Sequence, residues 1–215
     1  MKVGTDGVLL GAWTDDSNAQ RILDVGTGSG LIALMLAQRS NAPIDAIDID
    51  ENAYKQAIIN FENSPFSERL KVYLTDFLSY SPSQNYDLIV SNPPYFIDSL
   101  KSPNPSRNFA RHSDELNLEA LVQKSKQLLS TQGRLSLILP FSSFDSIQAI
   151  AIQNHLYLTR KTIVRPLKNH PPKRILLEFS PKEKEIEIND IFIEESRHRY
   201  SQEYIELTKD FYLGM

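Results

Sequence analysis

A chain of 215 residues with a net charge of −4 is long enough for one α/β domain with a full core and short for two. Its 41% hydrophobic and 23% charged residues, with no apolar run near the ~20 residues of a membrane helix, exclude bilayer-spanning, collagen-like and wholly disordered classes. The absence of cysteine excludes a disulfide framework, an iron–sulfur cluster, a thiolate zinc site and a cysteine nucleophile, and fits a reducing, cytoplasmic setting.

In chain order, the opening Met1 to Gly7 lacks the apolar core of a signal peptide. Thr5-Asp6-Gly7 reads as an N-cap and turn, and Leu9, Leu10 and Trp13 as the core face of a helix. Arg21–Val25 is the first β-branched run and Leu31–Arg39 follows it with helical spacing. Pro43–Ile49 is the second strand, and Asp50 caps a helix running from Glu51 to about Asn63. Leu70–Thr75 and Tyr86–Val90 are the third and fourth strands. The polar stretch Phe96–Ser113, with Pro103 and Pro105 and no periodicity, reads as a functional lid.

Leu116–Leu129 is predicted helical, and Gly133 breaks it before a fifth strand, Arg134–Leu139. After a helix over Phe144–Ile152, strands Leu156–Val164 and Arg174–Phe179 flank a turn at His170-Pro171-Pro172 and form an antiparallel hairpin at the sheet edge. Ser201–Tyr212 is a terminal amphipathic helix with Tyr204, Leu207, Phe211 and Tyr212 available for docking. Strands alternating with helices give a doubly wound, mostly parallel α/β sheet of seven strands in a single domain over 1–215.

Charge is unevenly spread. Between Ser146 and Leu177 no acid occurs, while Arg160, Lys161, Arg165, Lys168, Lys173 and Arg174 do. Such a block is either a solvated basic face or an anion-binding patch, so the acidic total does not exclude a nucleic-acid partner.

Asp24-Val25-Gly26-Thr27-Gly28-Ser29-Gly30 falls where the first strand turns into the first helix after it. Glycines there allow a tight turn and close approach of a ligand to free helix N–H groups. The loop has no lysine, so it is not a P-loop, and Leu31 stands where a dinucleotide fingerprint needs glycine. What remains, Asp-x-Gly-x-Gly-x-Gly, resembles the loop of Rossmann-like S-adenosylmethionine-dependent methyltransferases. A simple tight turn is the alternative. Asp48, ending the second strand, suits a carboxylate that accepts from both hydroxyls of a ribose. In the methyltransferase reading Asp76 accepts from the adenine amine of the cofactor and Phe77 is an apolar wall. Asp24 contacts the cofactor's amino group directly or through water.

Ser91-Asn92-Pro93-Pro94-Tyr95 directly follows the fourth strand. Two prolines stop a strand anyway, but that needs neither the asparagine nor the tyrosine. An exocyclic amine has its lone pair delocalised into the ring and is a poor nucleophile. Acceptance of its two hydrogens by the Asn92 side-chain carbonyl and the Pro93 backbone carbonyl frees that lone pair, and the prolines stiffen the arrangement. Tyr95 stacks on a planar target. No general base is needed before attack. The histidines, His112, His155, His170 and His198, are scattered, and no metal site is expected.

With those motifs placed, Met1-Lys2-Val3-Gly4-Thr5-Asp6-Gly7-Val8-Leu9-Leu10-Gly11-Ala12-Trp13, Asn92–Tyr95, Ala110-Arg111-His112 and Asp210-Phe211-Tyr212-Leu213 together resemble the bacterial tRNA1(Val) adenine-N6 methyltransferase family over essentially the whole chain. The resemblance implies S-adenosylmethionine as cofactor, a tRNA adenine next to the anticodon as substrate, Thr5 and Gly7 near the methionine end of the cofactor, and Asn92–Tyr95 around the adenine. Members usually carry a short extension before the opening motif, and Met1 begins inside it. Lys101, Arg107 and Arg111 of the lid and the six cations of the basic block are the expected tRNA-phosphate contacts. A monomer is expected. The same Asn-Pro-Pro-Tyr logic also resembles protein glutamine methyltransferases acting on release factors, whose helical substrate domain precedes the glycine loop, where only about 20 residues stand here. A non-catalytic RNA-binding protein is the third reading, and it has no need of Asn92–Tyr95.

Overall fold

The computed structural model describes residues 4–94 and 118–212. Tyr95, Lys101, Arg107, Arg111, His112 and the expected lid lie outside the described residues. Nine strands form one sheet among those described, in the order β3-β2-β1-β4-β5-β7-β6-β8-β9. Strands β1 (Ile22–Val25), β2 (Ile44–Asp48), β3 (Leu70–Leu74), β4 (Tyr86–Ser91) and β5 (Leu129–Pro140) are mutually parallel. β7 (Arg174–Ser180) lies antiparallel between β5 and β6 (Tyr157–Leu167), as expected of a hairpin.

The hairpin is not the sheet edge. β8 (Glu187–Ser196) adds parallel to β6, and β9 (Arg199–Tyr200) closes antiparallel on β8. β8 escapes the sequence pattern because it is acidic and only Ile191 and Ile193 pack into the core. The seven-stranded expectation is therefore corrected to nine, while the mostly parallel, doubly wound kind of fold holds.

Alternate strand residues point to opposite faces, which sorts the core into two layers. Helices α1 (Thr5–Trp13), α2 (Leu31–Arg39), α3 (Glu51–Glu62) and α6 (Gln202–Thr208) cover one face, packing Leu9, Leu36, Phe61 and Tyr204 against Ile22, Ile44, Leu88 and Ile138. α4 (Leu118–Leu128) and α5 (Phe144–Gln153) cover the other, with Leu121, Val122 and Ile147 on Leu23, Ile89, Leu137 and Leu177. Each such fully buried aliphatic side chain contributes about 1.5–3 kcal/mol. Asp50 caps α3 as its sequence suggests, accepting from the Ala53 amide at 2.8 Å.

Gly133 does not break a helix before a strand begins. β5 starts at Leu129, directly after α4, and Gly133 sits in an irregularity where the register against β4 shifts between Tyr86 and Leu88. A Cβ at Gly133 would lie 2.9 Å from the Tyr86 carbonyl oxygen, so the close approach of β4 demands glycine. The terminal helix is shorter than its pattern, ending at Thr208 before one 3₁₀ turn, Lys209–Phe211. Tyr204 is buried, and Leu207 and Phe211 pack against Val8, Ala12 and Met35.

Candidate functional site

In a parallel sheet the free strand ends on one side are the carboxyl ends, and a ligand crevice forms there. β1, β2 and β4 deliver Asp24, Asp48 and Asn92 to that side. The loop after β1 carries three left-handed glycines, Gly26, Gly28 and Gly30, with φ of 69°, 59° and 82°. It is pegged to β2: the Gly26 and Thr27 amides donate to the Ile47 carbonyl at 2.9 and 3.0 Å. Asp48 completes the clamp, with one carboxylate oxygen accepting from the Gly28 amide at 2.8 Å and the other from the Asp50 amide at 2.9 Å.

Asp24 is 0% exposed. Its Oδ2 accepts from Thr27 Oγ1 at 2.6 Å and from the Ala33 amide at 3.2 Å, while its buried Oδ1 has no hydrogen-bond partner among the described residues. Burial pushes its pKa up to about 7, against the two hydrogen bonds, and the charge of Asp48 adds to the rise. A buried carboxylate oxygen left without a donor is costly, and a ligand N–H group would offset that cost.

These features fit S-adenosylmethionine. The orphaned Asp24 oxygen matches an amino group, Asp48 keeps lone pairs for hydroxyl donors, and a Cβ built at Gly26 meets no described atom within 4 Å. Ile49, next after Asp48, is 64% exposed and offers an apolar surface beside that carboxylate. An isoleucine between two acids at a strand end is its signal in the sequence. Phe77 is buried in the core with Val25 and Ile47, and Asp76 accepts from the Leu78 amide at 3.1 Å.

Thr5 and Gly7 stand in the first turn of α1, whose N-cap is Gly4 rather than Thr5. A Cβ at Gly7 would come within 3.2 Å of Leu31, the first residue of α2, so this turn lies against the helix that the glycine loop opens. Asp6, between them, accepts from Arg174 Nε at 2.8 Å. No local pattern signals that pair, whose partners stand 168 positions apart.

β4 is in register with β1 such that Ser91 faces Val25, and the Ser91 hydroxyl donates to the Val25 carbonyl at 2.9 Å. Ser91 is 1% exposed. Asn92 is therefore the first residue beyond a strand end fastened directly to the start of the glycine loop. Asn92 is half-buried, Pro93 buried and Pro94 exposed.

The basic block divides by strand alternation. Arg160 lies over the Trp13 ring at 3.8 Å, donates to the Trp13 carbonyl at 3.0 Å and pairs with Glu178. With Arg174 on Asp6, both arginines hold α1 to the sheet. Lys161 and Arg165 point to the opposite face, Lys161 over Phe144 and Arg165 with its Nε shared between the two Asp190 carboxylate oxygens at 3.1 and 3.2 Å. Lys168 lies over Phe192, and Lys173 follows at the hairpin tip. Among the described residues no group of three or more His, Asp or Glu is arranged to hold a metal ion, and no helix is long and apolar enough to cross a membrane.

Comparison with known proteins agrees with this arrangement. Residues 4–143 match the methyltransferase small domain family model. The tRNA1(Val) (adenine(37)-N6)-methyltransferase of Parabacteroides distasonis is 53% identical over 223 residues, covering 100% of this chain and 92% of that protein. The protein of the same name from Flavobacterium psychrophilum is 48% identical, covering 100% and 94%. Among solved structures, one described as a predicted O-methyltransferase from Agrobacterium tumefaciens superposes with a TM-score of 0.74 at 19% identity over 95% of this chain and 96% of that one. A ribosomal protein L11 methylase from Lactobacillus delbrueckii gives 0.58 at 19% identity over 82% and 77%. These two share the fold; the full-length identities go further, and the chain belongs to the tRNA1(Val) (adenine(37)-N6)-methyltransferase family.

Proposed function

We propose that this protein methylates the exocyclic N6 amine of adenine 37 in tRNA1(Val), with S-adenosylmethionine as methyl donor. The observation that supports the reading is the bond from the Ser91 hydroxyl to the Val25 carbonyl, directly after which Asn92-Pro93-Pro94 follows β4 in the chain. The cofactor supplies an electrophilic methyl group. Asp24, Asp48, Asp76, Phe77 and the glycines Gly26, Gly28 and Gly30, with Thr5 and Gly7 of α1 and Asn92 at the strand end, form its cradle.

The Asn92 side-chain carbonyl and the Pro93 backbone carbonyl accept the two N6 hydrogens, which turns the nitrogen lone pair out of the ring π-system. Pro93 and Pro94 fix φ on either side of the acceptor, so little reorganisation remains at the moment of reaction. Tyr95, next after Pro94, stacks on the adenine. No general base is required before attack, because the nitrogen becomes cationic as it takes the methyl group and releases its acidified proton to solvent during or after the transfer. Lys101, Arg107 and Arg111, together with the outward cations of the basic block, contact tRNA phosphates. Arg160 and Arg174 hold the fold instead, through Trp13 with Glu178 and through Asp6. The protein acts in the cytoplasm as a monomer, in one domain and without a metal.

The test is incubation of the full chain with S-adenosylmethionine and unmodified tRNA, followed by nucleoside mass spectrometry, with a parallel arm on release factor and peptide analysis. N6-methyladenosine at one position of tRNA1(Val) is the expected product. Methylglutamine in release factor with unmodified tRNA would refute the reading.

A further inference from the structure

Among the described residues, strand alternation leaves one face of β6 and β8 without a helix packed across it. On β8, Ile191 and Ile193 pack inward, so Ile188, Asp190, Phe192 and Glu194 point outward. The pairing of Arg165 with Asp190 fixes the same direction for Lys161, Ile163 and Arg165 on β6. α5 reaches this face only at its margin, where Lys161 lies over Phe144. Beyond it Ile188 is 60% exposed, Asp190 is exposed and Phe192 is half-buried.

Two features set this strip apart from an ordinary solvated face. Its cations run in a line toward the active end of the sheet. Pro140, the last residue of β5, pairs with Arg174, the first of β7, so the 168–173 tip projects at the end where Asn92 leaves β4. The Phe141 amide donates to the Lys173 carbonyl at 3.2 Å and fastens the tip there, while Arg165 donates to the His170 carbonyl at 3.1 Å from within. Lys161, Arg165, Lys168 and Lys173 outnumber Asp190 and Glu194 on a chain whose net charge is −4. Its cations are also interleaved with apolar groups, Ile163, Ile188 and Phe192, in the order that a nucleic acid presents phosphates and base or ribose faces.

We infer that this outward face of β6 and β8, with the 168–173 tip, is the docking surface for the substrate tRNA. The inference rests on the reading of the chain as a tRNA methyltransferase and adds the side from which the RNA approaches. Lys161, Lys168 and Lys173 neutralise phosphates. Arg165 is positioned by Asp190 and shapes the tip. Ile188 and Phe192 lie under ribose and base faces. The acidic β8 has a role in building this surface because Asp190 orients Arg165.

The test uses the full chain and a tRNA1(Val) transcript, read by fluorescence anisotropy for binding and by N6-methyladenosine for turnover. The double variant K161E/K168E and, separately, I188E are compared with K55E on α3 as a control. The expected result is a tRNA Kd and KM raised at least tenfold in K161E/K168E and several-fold in I188E, with kcat at saturating tRNA and cofactor Kd unchanged, and K55E like wild type. The slope of log Kd against log salt falls by ~0.7–0.9 for each phosphate contact removed. Wild-type tRNA affinity in both surface variants overturns the docking surface while leaving the methyltransferase reading intact. A dimer that dissociates in those variants with tRNA affinity unaltered assigns the face to a second copy and overturns it equally. Wild-type protein that leaves tRNA unmethylated and unbound brings down both.

Discussion

Asp6 and Arg174, 168 positions apart, meet in an ion pair of 2.8 Å that ties the first turn of α1 to the start of β7, at the turn end of the β6–β7 hairpin. That turn carries Thr5 and Gly7 and lies against Leu31 at the start of α2, so the pair steadies it there. Both side chains are partly exposed, and the pair is worth no more than about 1 kcal/mol of stability. Asp6→Asn is expected to leave the fold intact, lower stability by less than that, and weaken cofactor binding several-fold. Calorimetric titration with S-adenosylmethionine beside a denaturant curve checks it; unchanged cofactor affinity would show the pair to be a surface ornament.

Asn92 is expected to carry turnover and little else. Removing one pre-organised acceptor from a developing charge typically costs 10²–10³ in rate. Asn92→Ala should lose at least about that factor in kcat while cofactor Kd changes within a few-fold, since Asp24, Asp48 and the glycine loop are untouched. Ser91→Ala, which deletes the bond to Val25, should fall between that variant and wild type. Single-turnover kinetics with equilibrium dialysis separates the two effects.

What could be read from the sequence follows from which signals are local. The loop after β1, the Asp50 cap and the Asn-Pro-Pro run announce themselves because turn chemistry and caps are set by neighbours in the chain. The hairpin of β6 and β7 shows through its Pro-Pro turn. β8 does not, because its strand character depends on pairing with β6 and only alternate residues of its second half meet the core. For the same reason the basic block read as one patch. Only the pleat, which turns Arg160 onto Trp13 and Lys161 away from it, separates structural from outward cations. The place of Asp24 at the end of β1 is legible in the sequence, but its orphaned oxygen is not, since burial is a tertiary property.

Gly30 combines two demands, and its replacement tests how tightly the loop is built. Its φ of 82° disfavours any side chain, and a Cβ would lie 2.4 Å from the Phe61 ring of α3. Gly30→Ala is expected to cost about 1–3 kcal/mol through overpacking and backbone strain together. Gly26→Ala has the strained φ but no described atom within 4 Å of its Cβ, so it should cost less stability while still weakening cofactor binding. Urea denaturation of the two variants gives the comparison, and equal losses would mean that Phe61 simply moves aside.

The Asp24 carboxyl makes the stability of the cofactor-free protein depend on pH in a direction opposite to the usual salt-bridged carboxylate. Burial raises its pKa from 3.8 to about 7, with the Asp48 charge acting the same way. Between those values the folded state holds a proton that the unfolded chain has released. The contribution therefore favours folding fully below the unfolded pKa and is lost as pH rises through about 7, at up to about 1.4 kcal/mol per pH unit. Asp24→Asn removes this titration. Unfolding free energies measured from pH 5 to pH 8 should show wild type losing stability relative to D24N up to about pH 7 and running parallel to it above. A difference independent of pH would mean that the buried carboxyl stays ionised, and that its unpartnered oxygen finds a donor in the free protein.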